Sequence, residues 1–286
     1  MKDRKVDSLK KFFLNDHMEY DCVSIAWLGQ AGFIFKYNEI VLIIDPYLSD
    51  YLAKKYKGKI FPHIRLMDLP IKPDEISRVN YVLSTHPHSD HMDPETISIL
   101  SETHRNCNFI VPGPEKEEAI KRGINKDQII EAYVDREIEI TEEIKIIPIP
   151  AKHEEFKVNK DGEHSFLGYI FKFGDTSLYH SGDSIPYEGL VDKLKRIPVN
   201  IALMPINGRD EYRLSNNIAG NFLIPEVIKI CQEANIKKLI VHHFGMFSYN
   251  TVPEKRLSLL KTKNLDNLKI LVPEVNHIYS FKVSTN

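Results

Sequence analysis

Hydrophobic and polar positions alternate along this chain in short blocks. Residues 23–28 and 33–37 are β-favouring runs on either side of Gly29-Gln30-Ala31-Gly32, which predicts a hairpin. Residues 41–44 are an unbroken apolar run, as expected of a strand buried on both faces. That run stops at Asp45-Pro46-Tyr47, where Pro46 steers Asp45 away from helix. Residues 50–75 are mixed and rich in lysine, and read as a short helix and a loop, either a solvated surface segment or a lid or oligomer contact. A strand is expected over 79–84. A helix is expected to open at Pro94 with Asp93 as its N-cap. Residues 108–111 predict a strand and 115–122 a helix. Alternation over 129–149 predicts antiparallel strands with one wet face.

The second half repeats the plan coarsely. Residues 168–173 and 176–180 flank Gly174-Asp175 and predict another hairpin. Strands are expected at 200–205 and 239–241, helices at 218–234 and 253–260, and a last β run at 269–272. Hairpins followed by β/α units, twice over, suggest an α/β fold of two packed β-sheets with helices outside. No linker composition divides the chain, so residues 1–286 are expected to form a single domain, with 1–20 as an N-terminal arm.

Composition narrows the classes. The chain has 286 residues, 42% hydrophobic and 27% charged, which excludes disorder, collagen and coiled coil. Lys+Arg 38 against Asp+Glu 40 gives a net charge of −2, with no push toward nucleic acid or an anionic membrane as partner. Cys22, Cys107 and Cys231 are sparse and unclustered, as in a reducing compartment. The N-terminal residues lack the apolar core of a signal peptide, and no stretch approaches the length of a membrane helix. A cytoplasmic location is therefore expected. Of the composition, the 12 histidines are what change the picture, through their placement.

His86, His88, Asp90 and His91 fall in the segment Ser84-Thr85-His86-Pro87-His88-Ser89-Asp90-His91, directly after a predicted strand. Ligands of α/β sheets gather beyond such strand ends. In extended chain His86 and His88 point to the same side, and imidazole with carboxylate suits zinc, manganese or iron. Further ligands must come from elsewhere. His153, Asp183 and His243 each follow a predicted strand and are the candidates.

In that order the residues resemble the motif set of the metallo-β-lactamase superfamily. Residues 27–32, 44–50, 204–210 and 243–247 are similar to the L-ascorbate-6-phosphate lactonase subfamily. The resemblance implies a four-layer αβ/βα sandwich and two divalent metal ions per chain, manganese or zinc. His86, His88 and His153 would hold one metal, Asp90, His91 and His243 the other, and Asp183 would bridge them. It implies a hydrolase that opens a lactone of a small phosphorylated sugar acid by attack of a metal-bridging hydroxide, with Asp90 orienting or deprotonating the water. The alternative is a metal-dependent phosphodiesterase acting on a cyclic nucleotide, RNA or a phospholipid head group. A small-molecule substrate and a homo-oligomer are expected. His88 stands where redox di-iron proteins of this fold carry Glu, which disfavours that chemistry. Arg209, Asn207 and Gln30 are candidate substrate contacts, with a surface ion pair or an ordinary hairpin contact as rivals for Arg209 and Gln30. Asp45 and His180 are candidate partners behind the ligands, and a structural turn is the rival for Asp45.

Overall fold

The computed structural model describes residues 1–13, 21–263, 265 and 267–283. The chain groups into two compact units, one of residues 1–132, 246–249 and 274–286, the other of residues 133–245 and 250–273. Each unit has its own sheet and helices. The mixed α/β class expected from the sequence is the observed one.

In the first unit the strands, numbered in chain order, are β1 Lys2–Lys5, β2 Cys22–Gly29, β3 Gly32–Tyr37, β4 Ile40–Ile44, β5 Tyr81–Leu83, β6 Asn108–Pro112 and β7 Ile129–Ala132. With the last strand of the chain, β15 His277–Lys282, they form an eight-stranded sheet in the order β1-β15-β2-β3-β4-β5-β6-β7. Neighbours are antiparallel from β1 to β4 and parallel from β4 to β7. Two antiparallel steps restore direction, so the C-terminal ends of β2, β4, β5 and β6 share one edge. The apolar run of β4 is central and its residues 41–44 are fully buried. Helices α1 Tyr51–Lys55, α2 Pro94–Thr103 and α3 Lys116–Lys121 belong to this unit. Gly32 begins β3 where a Cβ would lie 2.9 Å from the Asp45 carbonyl oxygen, so only glycine lets β3 run this close to the end of β4.

The second unit contains β8 Ile138–Glu139, β9 Ile144–Pro150, β10 Leu167–Phe173, β11 Thr176–His180, β12 Ile201–Pro205, β13 Lys238–His242 and β14 Lys269–Leu271 in a seven-stranded sheet of order β14-β13-β12-β11-β10-β9-β8. Pairing is antiparallel from β8 to β11 and parallel from β11 to β14. The ends of β9, β11, β12 and β13 therefore share an edge. Helices α4 Leu190–Arg196, α5 Glu211–Ser215, α6 Ile224–Glu233 and α7 Glu254–Thr262 complete the unit.

Several expectations need correction. The alternating residues 129–132 are not antiparallel. They return from the α3 crossover to pair parallel with β6. The helix expected from residue 218 starts at Ile224, because a helix continued upstream would clash with Pro225 and lack its N–H. The last strand is β15, whose polar residues hid it. Of the expected arm, residues 14–20 lie outside the described residues; β1 pairs with β15, and Leu9, Phe12 and Phe13 are buried.

Asp93 caps α2 as expected. Its carboxylate accepts from the Glu95 amide at 3.2 Å and from the Thr96 hydroxyl, which in turn accepts from the Leu48 amide at 3.0 Å. Replacing Asp93 by Ala removes the cap and leaves the buried Thr96 hydroxyl without its acceptor. The expected loss is about 2–3 kcal/mol, read as a lower urea midpoint with an unchanged slope.

Candidate metal centre

In the first unit, the chain leaving β5 turns back on itself within a few residues. The amides of His91 and Met92 donate to the His88 carbonyl at 3.1 and 2.8 Å, and Ser84 Oγ donates to the His91 carbonyl at 3.1 Å. The turn gathers His86, His88, Asp90 and His91. Ring centroids lie 4.6 Å apart for His86 and His88 and 4.0 Å for His86 and His91. Ligand atoms within the pairs His86/His88, His86/His91 and Asp90/His91 approach to 4.8 Å or less. His86 and His91 are buried, Asp90 is half-buried and His88 is exposed.

Asp45, immediately after β4, sets the protons of this group. Its Oδ1 accepts from the Thr85 amide at 2.8 Å, and its Oδ2 from Thr85 Oγ1 and His91 Nδ1, both at 2.7 Å. The single hydroxyl hydrogen of Thr85 goes to Asp45. The 2.9 Å contact between Thr85 Oγ1 and His86 Nδ1 is then one in which the imidazole donates. Both rings carry their proton on Nδ1 and offer Nε2 as a lone pair, the form a metal ligand needs. Asp45, a candidate partner behind the ligands, bonds to both Thr85 and His91. Thr85 was missed by sequence reasoning, although it stands between the strand and the first histidine.

Gln30, a candidate substrate donor, is turned toward Asp90 instead. Its Nε2 donates to Asp90 Oδ2 at 2.9 Å, while its backbone carbonyl accepts from Trp27 Nε1 at 3.1 Å. It fixes the rotation of the Asp90 carboxylate. Tyr47 and Tyr249 also lie in this unit, with their hydroxyls buried. Burial, reinforced by the Asp90 charge, pushes both phenols well above the ordinary tyrosine value, so they remain protonated donors.

In the second unit, His153, Asp183 and His243 follow the ends of β9, β11 and β13, on the shared edge. All three are buried, and His243 Nε2 lies 3.2 Å from Asp183 Oδ2. Backbone and side chain tie the His153 and Asp183 loops together: Lys152 N donates to Ser184 Oγ at 3.0 Å and Ile185 N to the Lys152 carbonyl at 2.7 Å. His180 Nδ1 accepts from the Gly182 amide at 3.1 Å and the ring stacks on His242 at 4.9 Å. His180 thus acts on the loop that carries Asp183. Adjacent residues at a strand end point apart, so His242 goes to His180 and His243 to Asp183.

Two further candidates are committed elsewhere. Arg209, expected to fork onto a substrate anion, forks onto Glu226 at 2.7 and 2.6 Å and also donates to the Asn221 carbonyl at 3.1 Å. A bidentate carboxylate satisfies the same donors that would recognise a phosphate. Asn207, expected to touch substrate, is buried in an amide network with Asn221 and Asn250, and its carbonyl accepts from Arg213 at 3.0 Å. Arg213, which sequence reasoning did not single out, is the cation of that network, with Asp210 Oδ2 at 2.6 Å.

The donors of both units are imidazoles and carboxylates with no thiolate, which fits a hard or borderline divalent cation.

Residues 41–244 match the family model described as "Beta-lactamase superfamily domain". The chain is 26% identical, over 82% of its length, to the mitochondrial N-acyl-phosphatidylethanolamine-hydrolyzing phospholipase D of Saccharomyces cerevisiae, and spans 51% of that protein. It is 24% identical, over 74% of its length, to a protein of Escherichia fergusonii named "probable L-ascorbate-6-phosphate lactonase", and spans 62% of it. It thus spans less than two thirds of either relative. Among solved structures, an isothiocyanate hydrolase from Delia radicum gut bacteria aligns with a TM-score of 0.72 over 91% of this chain and 100% of that one, at 16% identity, a likeness of fold.

Loss of the Asp45 carboxylate charge should loosen the proton arrangement of both buried imidazoles. Asp45→Asn is expected to weaken metal binding about 10- to 100-fold, measured by titration of the metal-free chain with zinc or manganese.

Proposed function

The chain belongs to the beta-lactamase superfamily, and on that premise we propose that it is a metal-dependent hydrolase that opens a lactone of a small phosphorylated sugar acid. By their resemblance to the superfamily's motif set, His86, His88 and His153 are assigned to one divalent cation, Asp90, His91 and His243 to a second, and Asp183 to both. The observation that carries the assignment is the proton arrangement around Asp45 and Thr85, which prepares two buried imidazoles as Nε2 donors. Manganese or zinc suits this set of nitrogen and oxygen donors.

Divalent cations held there would supply a Lewis acid for the carbonyl oxygen and lower the pKa of a bound water. The protein's own residues do the positioning. Asp45 and Thr85 hold His86 and His91 in one tautomer, Gln30 holds the Asp90 carboxylate, and the Lys152 to Ser184 link holds the loops of His153 and Asp183. Asp90 orients the attacking water. The water oxygen bonds to the acyl carbon, the ring C–O bond breaks, and the departing alkoxide takes up the proton the water lost.

Arg209 reaches a substrate anion only by leaving Glu226, so it is not assigned the phosphate. Lys55 is the better-placed cation, with Nζ 3.4 Å from Ser89 Oγ in the loop between His88 and Asp90. The lactone is favoured by the motifs shared with lactonases and by the lactonase named above. The phospholipase relative favours a second reading, hydrolysis of a phosphodiester, which the same donor set serves.

The metal-loaded protein is expected to turn over a sugar-acid lactone faster than a generic aryl phosphodiester, and His88→Ala to fall to background on both. Full activity in His88→Ala would sink the metal assignment. Preference for the phosphodiester would select the second reading.

A further inference from the structure

No helix or strand covers residues 56–72, yet this segment is held firmly from within its own unit. Phe61 packs on Tyr249 with ring centroids 4.7 Å apart, and His63 stacks on Tyr56 at 4.2 Å and meets Phe247 edge-on at 5.1 Å. Arg65 donates to the carbonyls of Tyr47 and Ser49 at 2.8 and 2.9 Å, and the Leu66 amide donates to the Met246 carbonyl at 2.9 Å. Side chains 61, 63 and 65 therefore face inward. Ile64 and Leu66, on either side of the inward Arg65, face out, and so does Ile60 before Phe61. Ile60, Ile64 and Leu66 are 80%, 62% and 61% exposed, an aliphatic strip presented by an anchored backbone.

The charge within residues 51–67 is of one sign, with Asp50 and Asp68 at the two ends. There the chain has Lys54, Lys55, Lys57, Lys59 and Arg65 and no acidic residue. Arg65 is turned inward and Lys54 pairs with Glu95 at 2.8 Å, whereas Lys57 and Lys59 stand exposed next to Ile60. The near-neutral net charge of the whole chain conceals this local excess.

We propose that residues 57–66 dock the protein on an anionic lipid surface, with Ile60, Ile64 and Leu66 entering the boundary between headgroups and acyl chains and Lys57 and Lys59 on the headgroup phosphates. Three features favour lipid over a protein partner. The outward residues are aliphatic while the aromatic residues point in, the reverse of a protein interface, which is rich in exposed aromatic anchors. Lysine, depleted at protein interfaces, suits a lipid surface because its long stem lies on apolar surface while the ammonium stays in water. A second copy of the same strip would set lysine against lysine.

The test is flotation of the metal-loaded full chain with phosphatidylcholine vesicles, with and without phosphatidylglycerol. Binding is expected only to the anionic vesicles and is expected to weaken with salt. Lys57→Gln and Lys59→Gln should each reduce it about fivefold, and Ile60→Asp with Ile64→Asp should abolish it at an unchanged thermal midpoint, since these side chains are exposed. Failure of the intact chain to bind anionic vesicles would overturn the proposal, as would binding that survives the aspartate pair. So would an oligomer that the aspartate pair dissociates while vesicle binding is absent, which would make the strip a contact between copies.

Discussion

A buried carboxylate is tolerated when donors meet both of its oxygens, and Asp45 meets that condition at the end of a central strand. Its donors are the Thr85 amide, the Thr85 hydroxyl and the His91 imidazole. Removing any of them leaves charge without compensation in a low-dielectric interior, where the penalty reaches several kcal/mol. The same bonds that make Asp45 tolerable dictate which nitrogen of two histidines carries a proton. Stability of the strand end and readiness for a metal are therefore one arrangement, not two.

Left-handed backbone, which also occurs in turns elsewhere in the chain, is found at three of the strand ends that lead to candidate site residues. Gln30, Asp45 and His243 have φ of 49°, 47° and 62°, in the left-handed region that L side chains disfavour. Each is the first residue after a strand: β2, β4 and β13. Leaving the sheet in a left-handed step turns the side chain sharply across the strand end. The cost of about 1–2 kcal/mol for each is offset by the contacts that hold Gln30 to Asp90, Asp45 to Thr85, and His243 beside Asp183. Such strain with rigid support is characteristic of functional sites.

Both sheets also follow one plan, antiparallel on one side and parallel on the other, and in each the site residues follow strands that run the same way. That plan explains why ligands far apart in sequence recur at strand ends. It also separates recognition from chemistry. Arg209, Asn207 and Arg213 follow β12 on the same edge, yet their polar groups are spent on each other's neighbours, on Glu226, Asn221, Asn250 and Asp210.

Much of this was legible in the chain itself. Hairpins at 23–37 and 168–180, the apolar run ending at Asp45, and the histidine-rich segment after a strand are local patterns, and local backbone preference with burial decides them. The candidate ligands were legible because imidazole and carboxylate groups at successive strand ends are improbable without a shared role. Tertiary structure decided the rest. Whether 129–132 pairs parallel or antiparallel depends on where the α3 crossover delivers it. Whether His277–Lys282 is a strand depends on β1 and β2 being there to receive it. Whether Arg209 is free for an anion depends on Glu226, 17 residues away in sequence. A residue's type and spacing state what it can bond to; only the folded chain states which partner reaches it first.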